Sequence, residues 1–163
     1  MIAKLQQMAD LVKKSGRKFR IAVAWAQDPN TIGSVYKAVH EGFVEAFLIG
    51  DRKAIIGTCI SKGCDLSLVH IIEAPDDVAA ARMAVSMTAR GETDIVMKGL
   101  VGTDKFLKAV MNKEEGLLIR DAVMSYVAVL EVPSYHKLLF ITDTAVIPFP
   151  DLYQKTFMAK YAL

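Results

Sequence analysis

The feature that most constrains this chain is a fourfold alternation of short apolar runs with stretches of helical spacing. Phe19 to Ala26 is almost continuously apolar, as in Ile21-Ala22-Val23-Ala24. A strand covered on both faces reads this way, because neither side of it meets water. Thr31 to Glu41 follows with Val35, Ala38 and Val39 at helical spacing, and Gly42 is placed to end it. Ala46 to Ile49 is the second run. Gly50-Asp51 supplies a turn and a helix cap, and the next helix runs through Ile55, Ile56 and Ile60 to Gly63. Leu68 to Ile72 is the third run. Pro75-Asp76-Asp77 then opens a helix through Ala79, Met83 and Met87 towards Arg90, with acids at the positive end of its dipole. Asp94 to Lys98 is the fourth, closed by Gly99. Thr103 or Asp104 is the expected cap of a helix through Phe106, Leu107, Val110 and Met111. Four strands, each followed by a helix, predict an α/β fold: a mostly parallel sheet in a three-layer α/β/α arrangement.

The pattern changes after the loop Asn112 to Asp121. Tyr126 to Glu131 and Lys137 to Thr142 read as two adjacent strands. The short connection Pro133-Ser134-Tyr135-His136 suits an antiparallel pair or a tight turn. Asp151 to Tyr161 is helical in pattern and follows Pro148 and Pro150. Residues 1–121 are therefore expected to form one α/β domain and residues 122–163 the start of a second. The later segment alone offers too little for an independent core. Leu152, Phe157 and Met158 are expected to be exposed unless something covers them.

Several function classes are poorly supported. Twenty Lys and Arg stand against eighteen Asp and Glu, a net charge of +2 with the positives scattered, so no nucleic-acid partner is expected. The one basic cluster, Lys13, Lys14, Arg17, Lys18 and Arg20, reads as the solvated end of a first helix and a loop. No run of eighteen apolar residues exists, so no spanning helix and no membrane partner are expected. Lys4 and Asp10 interrupt the apolar pattern of Met1 to Arg20, which reads as an amphipathic helix and not as a signal peptide. The cytoplasm is the expected location. Cys59 and Cys64 lack zinc-site spacing and read as free thiols at or near a helix end. His40, His70 and His136 form no metal or triad pattern, so no metal is expected. Trp25 and the eight methionines read as core.

Ligands of open parallel sheets bind beyond the carboxyl ends of the strands. That selects Gln27-Asp28-Pro29-Asn30, Gly50-Asp51-Arg52, Lys98 to Thr103, and Thr142-Asp143-Thr144-Ala145. The third follows a strand and opens a helix. Its backbone N–H groups suit an anion, with Lys98 as a point charge; alternatively its glycines serve only the turn. It is neither a Walker motif nor a dinucleotide fingerprint, which leaves ATP and NAD poorly supported. Asp143 is either a turn-former or a cleft carboxylate. Arg120 beside Asp121 reads as an exposed ion pair.

Ordered segments then point to one family. Glu92-Thr93-Asp94-Ile95-Val96-Met97-Lys98-Gly99-Leu100-Val101 resembles the "ADILMKGLV" segment of phosphate butyryltransferases. Phe106 to Glu114 is similar to their "LKAVLNKE", and Ser125 to Pro133 to "SHVAVFEVP". Leu138 to Ala145 and Pro150 to Lys155 resemble "LLFVTDAA" and "PDLEQK", and Val44 to Asp51 is similar to "PILVGD". The chain thus resembles the amino-terminal half of the phosphate acetyl/butyryltransferase family. The resemblance implies reversible transfer of a short acyl group between coenzyme A and inorganic phosphate. It implies a fold like that of isocitrate and isopropylmalate dehydrogenases, incomplete here at the carboxyl end, and assembly as a homo-oligomer. Acyl-CoA and phosphate are the implied partners. No bound cofactor is implied, since coenzyme A enters as a substrate.

Carried over by position, Lys98, Gly99 and Thr103 would bind phosphate or acyl phosphate. Lys108 sits near the position where the acetyltransferase branch carries a phosphate-contacting arginine and would bind phosphate with them, and Asp143 and Arg120 would line the cleft. Three positions depart from the family: Gly102 and Ile147 stand where polar residues are usual, and Tyr126 replaces a histidine. Family members run to about twice this length, so the Ser, Arg and Asp taken as principal catalytic residues are expected outside these 163 residues. The chain alone is expected to be inactive. The alternative is a non-catalytic remnant that acts as a folded or dimerising module. A decarboxylating dehydrogenase of the same fold is disfavoured, because its metal-binding aspartates are not visible.

Overall fold

The computed structural model describes residues 2–163. In chain order the elements are α1 (Leu5–Lys14), β1 (Phe19–Ala24), α2 (Pro29–His40), β2 (Val44–Gly50) and α3 (Arg52–Ser61). After a 3-10 turn at Leu66–Leu68 come β3 (Val69–Glu73), α4 (Asp77–Ala89), β4 (Ile95–Lys98), α5 (Thr103–Val110), β5 (Ala128–Glu131), β6 (Leu138–Ile141) and α6 (Leu152–Ala162). They form two compact units, Gly16–Leu118 and Ile119–Leu163 together with residues 2–15.

The first unit is built on a four-stranded sheet of order β3-β2-β1-β4, parallel throughout. Alternating residues of β1 face opposite ways, as strand geometry requires. Val23, Ala46 and Leu48 pack with Ile32, Val35 and Val39 of α2 and with Ile55 and Cys59 of α3. Ala22, Ala24 and Ile49 pack on the other face with Ala80, Ala81, Ala84 and Met87 of α4 and with Val101 ahead of α5. This is the three-layer α/β/α arrangement that the alternation predicts. Burying a side chain such as Ile49 or Ile55 completely stabilises by about 1.5–3 kcal/mol. The small residues of α4 let that helix lie close to the sheet.

Capping sets where most helices begin. Asp28 accepts N–H bonds from Asn30 and Thr31 at 3.0 and 2.9 Å, and Pro29 occupies the first helical position of α2. The helix therefore starts two residues earlier than its apolar spacing indicated. Asp51 caps α3 through Ala54 N–H, and Asp76 caps α4 through Ala79 N–H. Gly63 takes a left-handed φ of 69° after α3, which directs Cys64 N–H back to the Cys59 carbonyl at 2.9 Å. Cys59 and Cys64 are free. β1 stops at Ala24, not at Ala26, because Trp25 turns left-handed. Neither Thr103 nor Asp104 caps α5: Gly102 holds that position and makes no side-chain cap bond.

Helix α1 spans less than the expected 1–20, and Met1 lies outside the described residues. Arg20 is not a solvated cation of the loop. It lies in β1, holds Asp94 at 3.0 Å and bonds the Gly91 carbonyl at 3.0 Å. In the second unit β5 and β6 pair antiparallel, Ala128 opposite Ile141 through Glu131 opposite Leu138. Leu5 N–H donates to Glu131 Oε2 at 2.9 Å. Asp151 and Gln154 form a reciprocal capping box at the start of α6. Leu152 is 81% exposed, whereas Met158 is buried and Phe157 half-buried, against the expectation that all three lie open. Met158 is the one buried residue of this unit among the described residues.

Candidate functional site

Strand β1 lies inside the sheet, with β2 on one side and β4 on the other. The chain winds from β1 towards β2 and β3, then crosses to β4. The carboxyl ends of β1 and β4 therefore flank the point where strand order reverses, the place where open α/β sheets take ligands. Three of the four loops selected by sequence lie along this carboxyl edge: 27–30, 50–52 and 98–103. The fourth, 142–145, belongs to the other unit.

Ala24 is in register with Lys98. Beyond that pair, Gly99 N–H donates to the Ala24 carbonyl at 2.9 Å, and Leu100 N–H donates to the Trp25 carbonyl at 3.0 Å. A Cβ on Gly99 would sit 2.7 Å from both of those oxygens. Glycine is required here by the close approach of two backbones. Lys98 folds over its own loop, and its ammonium donates to the Gly99 carbonyl at 3.3 Å and the Val101 carbonyl at 3.0 Å. An ammonium has three N–H donors, so one is left to face an acceptor from outside. Val101 is buried and anchors the loop to the core.

Thr103 opens α5. Because Gly102 offers no side-chain oxygen, the N–H groups of the first turn keep their positive end unmet by a cap. Asp104 lies in that same turn, with Oδ1 close against Gly102, and competes there with any external anion. Lys108 stands elsewhere on α5. It lines a groove of about 300 Å³ between α4 and α5, floored by Val78, Val85 and Ala109. The rim of this groove is paired charge. Lys105 holds Asp77 at 2.8 Å, and Arg82 makes a double contact with Glu115 at 2.5 and 2.9 Å. The bond that Lys105 donates to Asp77 raises the lysine's pKa, and Arg82 holds the Glu115 carboxyl below its usual range.

The neighbouring loops knit the edge together. Gln27 Oε1 accepts Asp51 N–H at 3.1 Å, and Thr58 Oγ1 donates to the Gln27 carbonyl at 3.0 Å. Gly50 lies beneath them, and a Cβ there would meet Gln27 Oε1 at 3.1 Å and Trp25 Cε3 at 3.4 Å. Burial pushes the Asp28 carboxyl up, but the bonds from Thr31 and Asn30 outweigh it, and the net shift is downward. Sequence reasoning read Trp25 as core and Gly50-Asp51 as a turn within a candidate loop, and did not foresee that Trp25 and Gly50 meet. Gly50 at a strand end was the one available signal.

In the other unit Asp143 accepts three backbone N–H bonds, from Tyr126 at 2.8 Å, Ala145 at 2.7 Å and Val146 at 2.8 Å. Burial pushes its pKa up, but these donors together outweigh it, and the net shift is below the ordinary carboxylate range. The carboxylate is occupied as a turn-former. Arg120 is exposed, and among the described residues it makes no ion pair with Asp121; that aspartate takes a left-handed φ of 63°. His70 holds Glu45 at 2.8 Å and stacks on Phe47. Among the described residues no group of three or more His, Cys, Asp or Glu is placed to hold a metal. Likewise, among them no helix is long and apolar enough to cross a membrane.

A doubly covered parallel sheet with a glycine- and lysine-bearing loop at its switch point defines a protein of the three-layer α/β class. Residues 76–163 match the family model described as "Phosphate acetyl/butaryl transferase", and the chain belongs to that family. It is 38% identical over 155 residues to a phosphate butyryltransferase of Clostridium acetobutylicum, covering 95% of this chain and 51% of that one. It is 30% identical to a phosphate acetyltransferase of Thermotoga maritima, covering 98% of this chain and 53% of the other. The chain thus spans about half the length of these curated relatives. Among solved structures, a branched-chain phosphotransacylase from Enterococcus faecalis superposes with a TM-score of 0.71 at 23% identity, over 88% of this chain and 49% of that one. A phosphotransacetylase from Staphylococcus aureus gives 0.69 at 10% identity, over 94% and 55%. The two structures share its fold.

Proposed function

We propose that this chain is the amino-terminal part of an enzyme that transfers a short acyl group between coenzyme A and inorganic phosphate. The observation that carries the reading is the Lys98–Thr103 loop at the switch point, inside the segment that matches the family. Transfer to coenzyme A needs a thiolate to attack the acyl carbonyl, donors for the oxyanion that forms, and a cation for the departing phosphate. Lys98 supplies that cation, with one ammonium N–H directed outward. Gly99 lets the loop lie against β1, and Thr103 with the first-turn N–H groups of α5 offers further donors. Lys108, in the groove beside α4, is a further proposed phosphate contact of this unit, and Arg120 and Asp143 are the proposed cleft residues of the other unit. The residues that activate the thiol lie outside these 163, and residues 122–163 open a second α/β domain. Coenzyme A and phosphate enter as substrates, with no resident cofactor. A cytoplasmic homo-oligomer is the expected form.

The test incubates purified full-length protein with butyryl-CoA and phosphate and follows free thiol. Phosphate-dependent thiol release is expected. Its absence with acetyl-, propionyl- and butyryl-CoA alike refutes the activity. Lys98→Met should raise the phosphate KM by about tenfold or more, the scale of one lost charge-assisted contact. An unchanged phosphate KM removes Lys98 from the site. The 163-residue chain alone should show little turnover.

A further inference from the structure

We propose that Trp25 is the positioning residue of the Lys98–Thr103 loop: its indole, seated over Gly50, holds a left-handed backbone whose carbonyl fixes that loop. The proposal rests on reading the loop as the phosphate-binding element.

Trp25 has φ 57°. Bulky residues enter that region only where the surroundings impose it, and such outliers gather at functional sites. Here the surroundings can be named. On one side Ala26 N–H donates to the Ile49 carbonyl at 3.0 Å, which ties the residue after Trp25 to β2. On the other, the Ala24 and Trp25 carbonyls receive Gly99 and Leu100 N–H, which ties the two preceding carbonyls to the β4 loop. In an extended strand successive carbonyls point to opposite neighbours, whereas here the Ala24 and Trp25 carbonyls both face the β4 loop and Ala26 N–H faces β2, so the peptide after Trp25 is reversed by the left-handed turn at that residue.

The side chain holds that rotation. Cε3 of the indole lies 3.4 Å from where a Gly50 Cβ would be, and the ring packs against the cluster containing Ala22, Ala24 and Ile49. A Cβ at position 50 would touch the ring at ordinary contact distance, and its tightest neighbour would be Gln27 Oε1 at 3.1 Å. Of the two glycines, Gly99 is the one that must lack a side chain, because it makes room for the two carbonyls.

The consequence falls on Lys98. Its ammonium is bonded to the Gly99 and Val101 carbonyls, so it goes where the loop backbone goes. A charge displaced by an ångström no longer meets its ligand in the productive geometry.

The experiment uses the intact chain with inorganic phosphate as the probe and chloride at equal ionic strength as the control. Amide-resolved hydrogen exchange and phosphate titration are run on wild type, Trp25→Val and Trp25→Phe. Valine disfavours the left-handed region, whereas phenylalanine keeps an aromatic anchor. Trp25→Val should speed Leu100 amide exchange by about tenfold or more while leaving the β2–β3 amides unchanged, a local opening and not a global one. It should raise the phosphate dissociation constant by about tenfold, and Trp25→Phe should restore both quantities to within about threefold. Leu100 exchange and phosphate affinity both unaltered in Trp25→Val would overturn the proposal, as would a Trp25→Phe protein as impaired as Trp25→Val. Should Trp25→Val fail to fold, wild type decides: a Leu100 amide exchanging as fast as an open loop overturns the clamp. Wild type that takes up no phosphate refutes the phosphate reading of the loop and the functional half of this proposal, while the exchange data still judge the clamp itself.

Discussion

Replacing Gly99 by alanine tests how the candidate site is built. The new Cβ would lie 2.7 Å from two backbone oxygens, Ala24 O and Trp25 O, and 3.1 Å from the Trp25 carbonyl carbon. Backbone atoms cannot swing aside as a flexible side chain can. The loop must therefore lift away from β1, which lengthens or breaks the Gly99 and Leu100 hydrogen bonds. Overpacking of this kind costs about 1–3 kcal/mol. Two weakened hydrogen bonds add about 0.5–1.5 kcal/mol each when lost outright. Partial relief sets the expected total at roughly 2–4 kcal/mol, or a fall in Tm of about 5–15 °C for a chain of this size. Urea unfolding followed by far-UV circular dichroism measures it. Gly33→Ala in α2 is the control, because a Cβ there meets nothing within 4 Å. Alanine in a helix interior should stabilise by about 0.4–1 kcal/mol. A Gly99→Ala protein within about 0.5 kcal/mol of wild type would refute the close-approach argument, since surface changes alone fall in that range.

Asp143→Ala should destabilise by about 1–3 kcal/mol through three backbone donors left unpaired. Because the folded carboxyl titrates below its ordinary value, its contribution is fully present above about pH 4 and fades as pH falls through the lowered folded value. Urea midpoints that are flat across that acid window in wild type would refute the assignment. Cys59 is fully buried, and burial with Cys64 alongside pushes its thiol up to about 11. Iodoacetamide at about pH 8 should therefore label Cys64 first, and Cys59 should label only on unfolding. Mass spectrometry of peptides around residues 59 and 64 reads the order, and equal labelling of both would contradict it. The Cys59 thiol also makes stability fall as pH rises from about 8.5, where the unfolded thiol ionises, towards the folded value.

The sheet and its helices were legible because each is encoded locally. Ile21 to Ala24 is apolar throughout since both faces of the parallel sheet are covered, and Asp51, Asp76 and Asp151 cap the helices that follow them. What escaped depends on partners distant in sequence. Gly99 reads equally as a turn glycine or an anion-loop glycine until the β1 carbonyls are seen lying against it. Trp25 carries no local sign of a left-handed backbone, because the ties that impose it come from Ile49 and Leu100. The cap of α5 was misread because Thr103 and Asp104 are good capping residues by type, yet the chain enters the helix one residue earlier, at Gly102. Lys108 looks like a neighbour of Lys98 along the chain, but the turn of α5 carries it into the groove beside α4. Leu5 meets Glu131 across most of the chain, a contact no window of sequence could contain.

The chain has a single tryptophan, and it lies at the carboxyl edge of the sheet, beside the loop proposed to take phosphate. Light absorbed at the red edge of the protein spectrum is therefore emitted from one known place. No label and no background subtraction of other indoles is needed. Any ligand, substitution or shift in loop position at the switch point changes the polarity and packing around that ring, so the molecule carries its own optical gauge where its chemistry is expected.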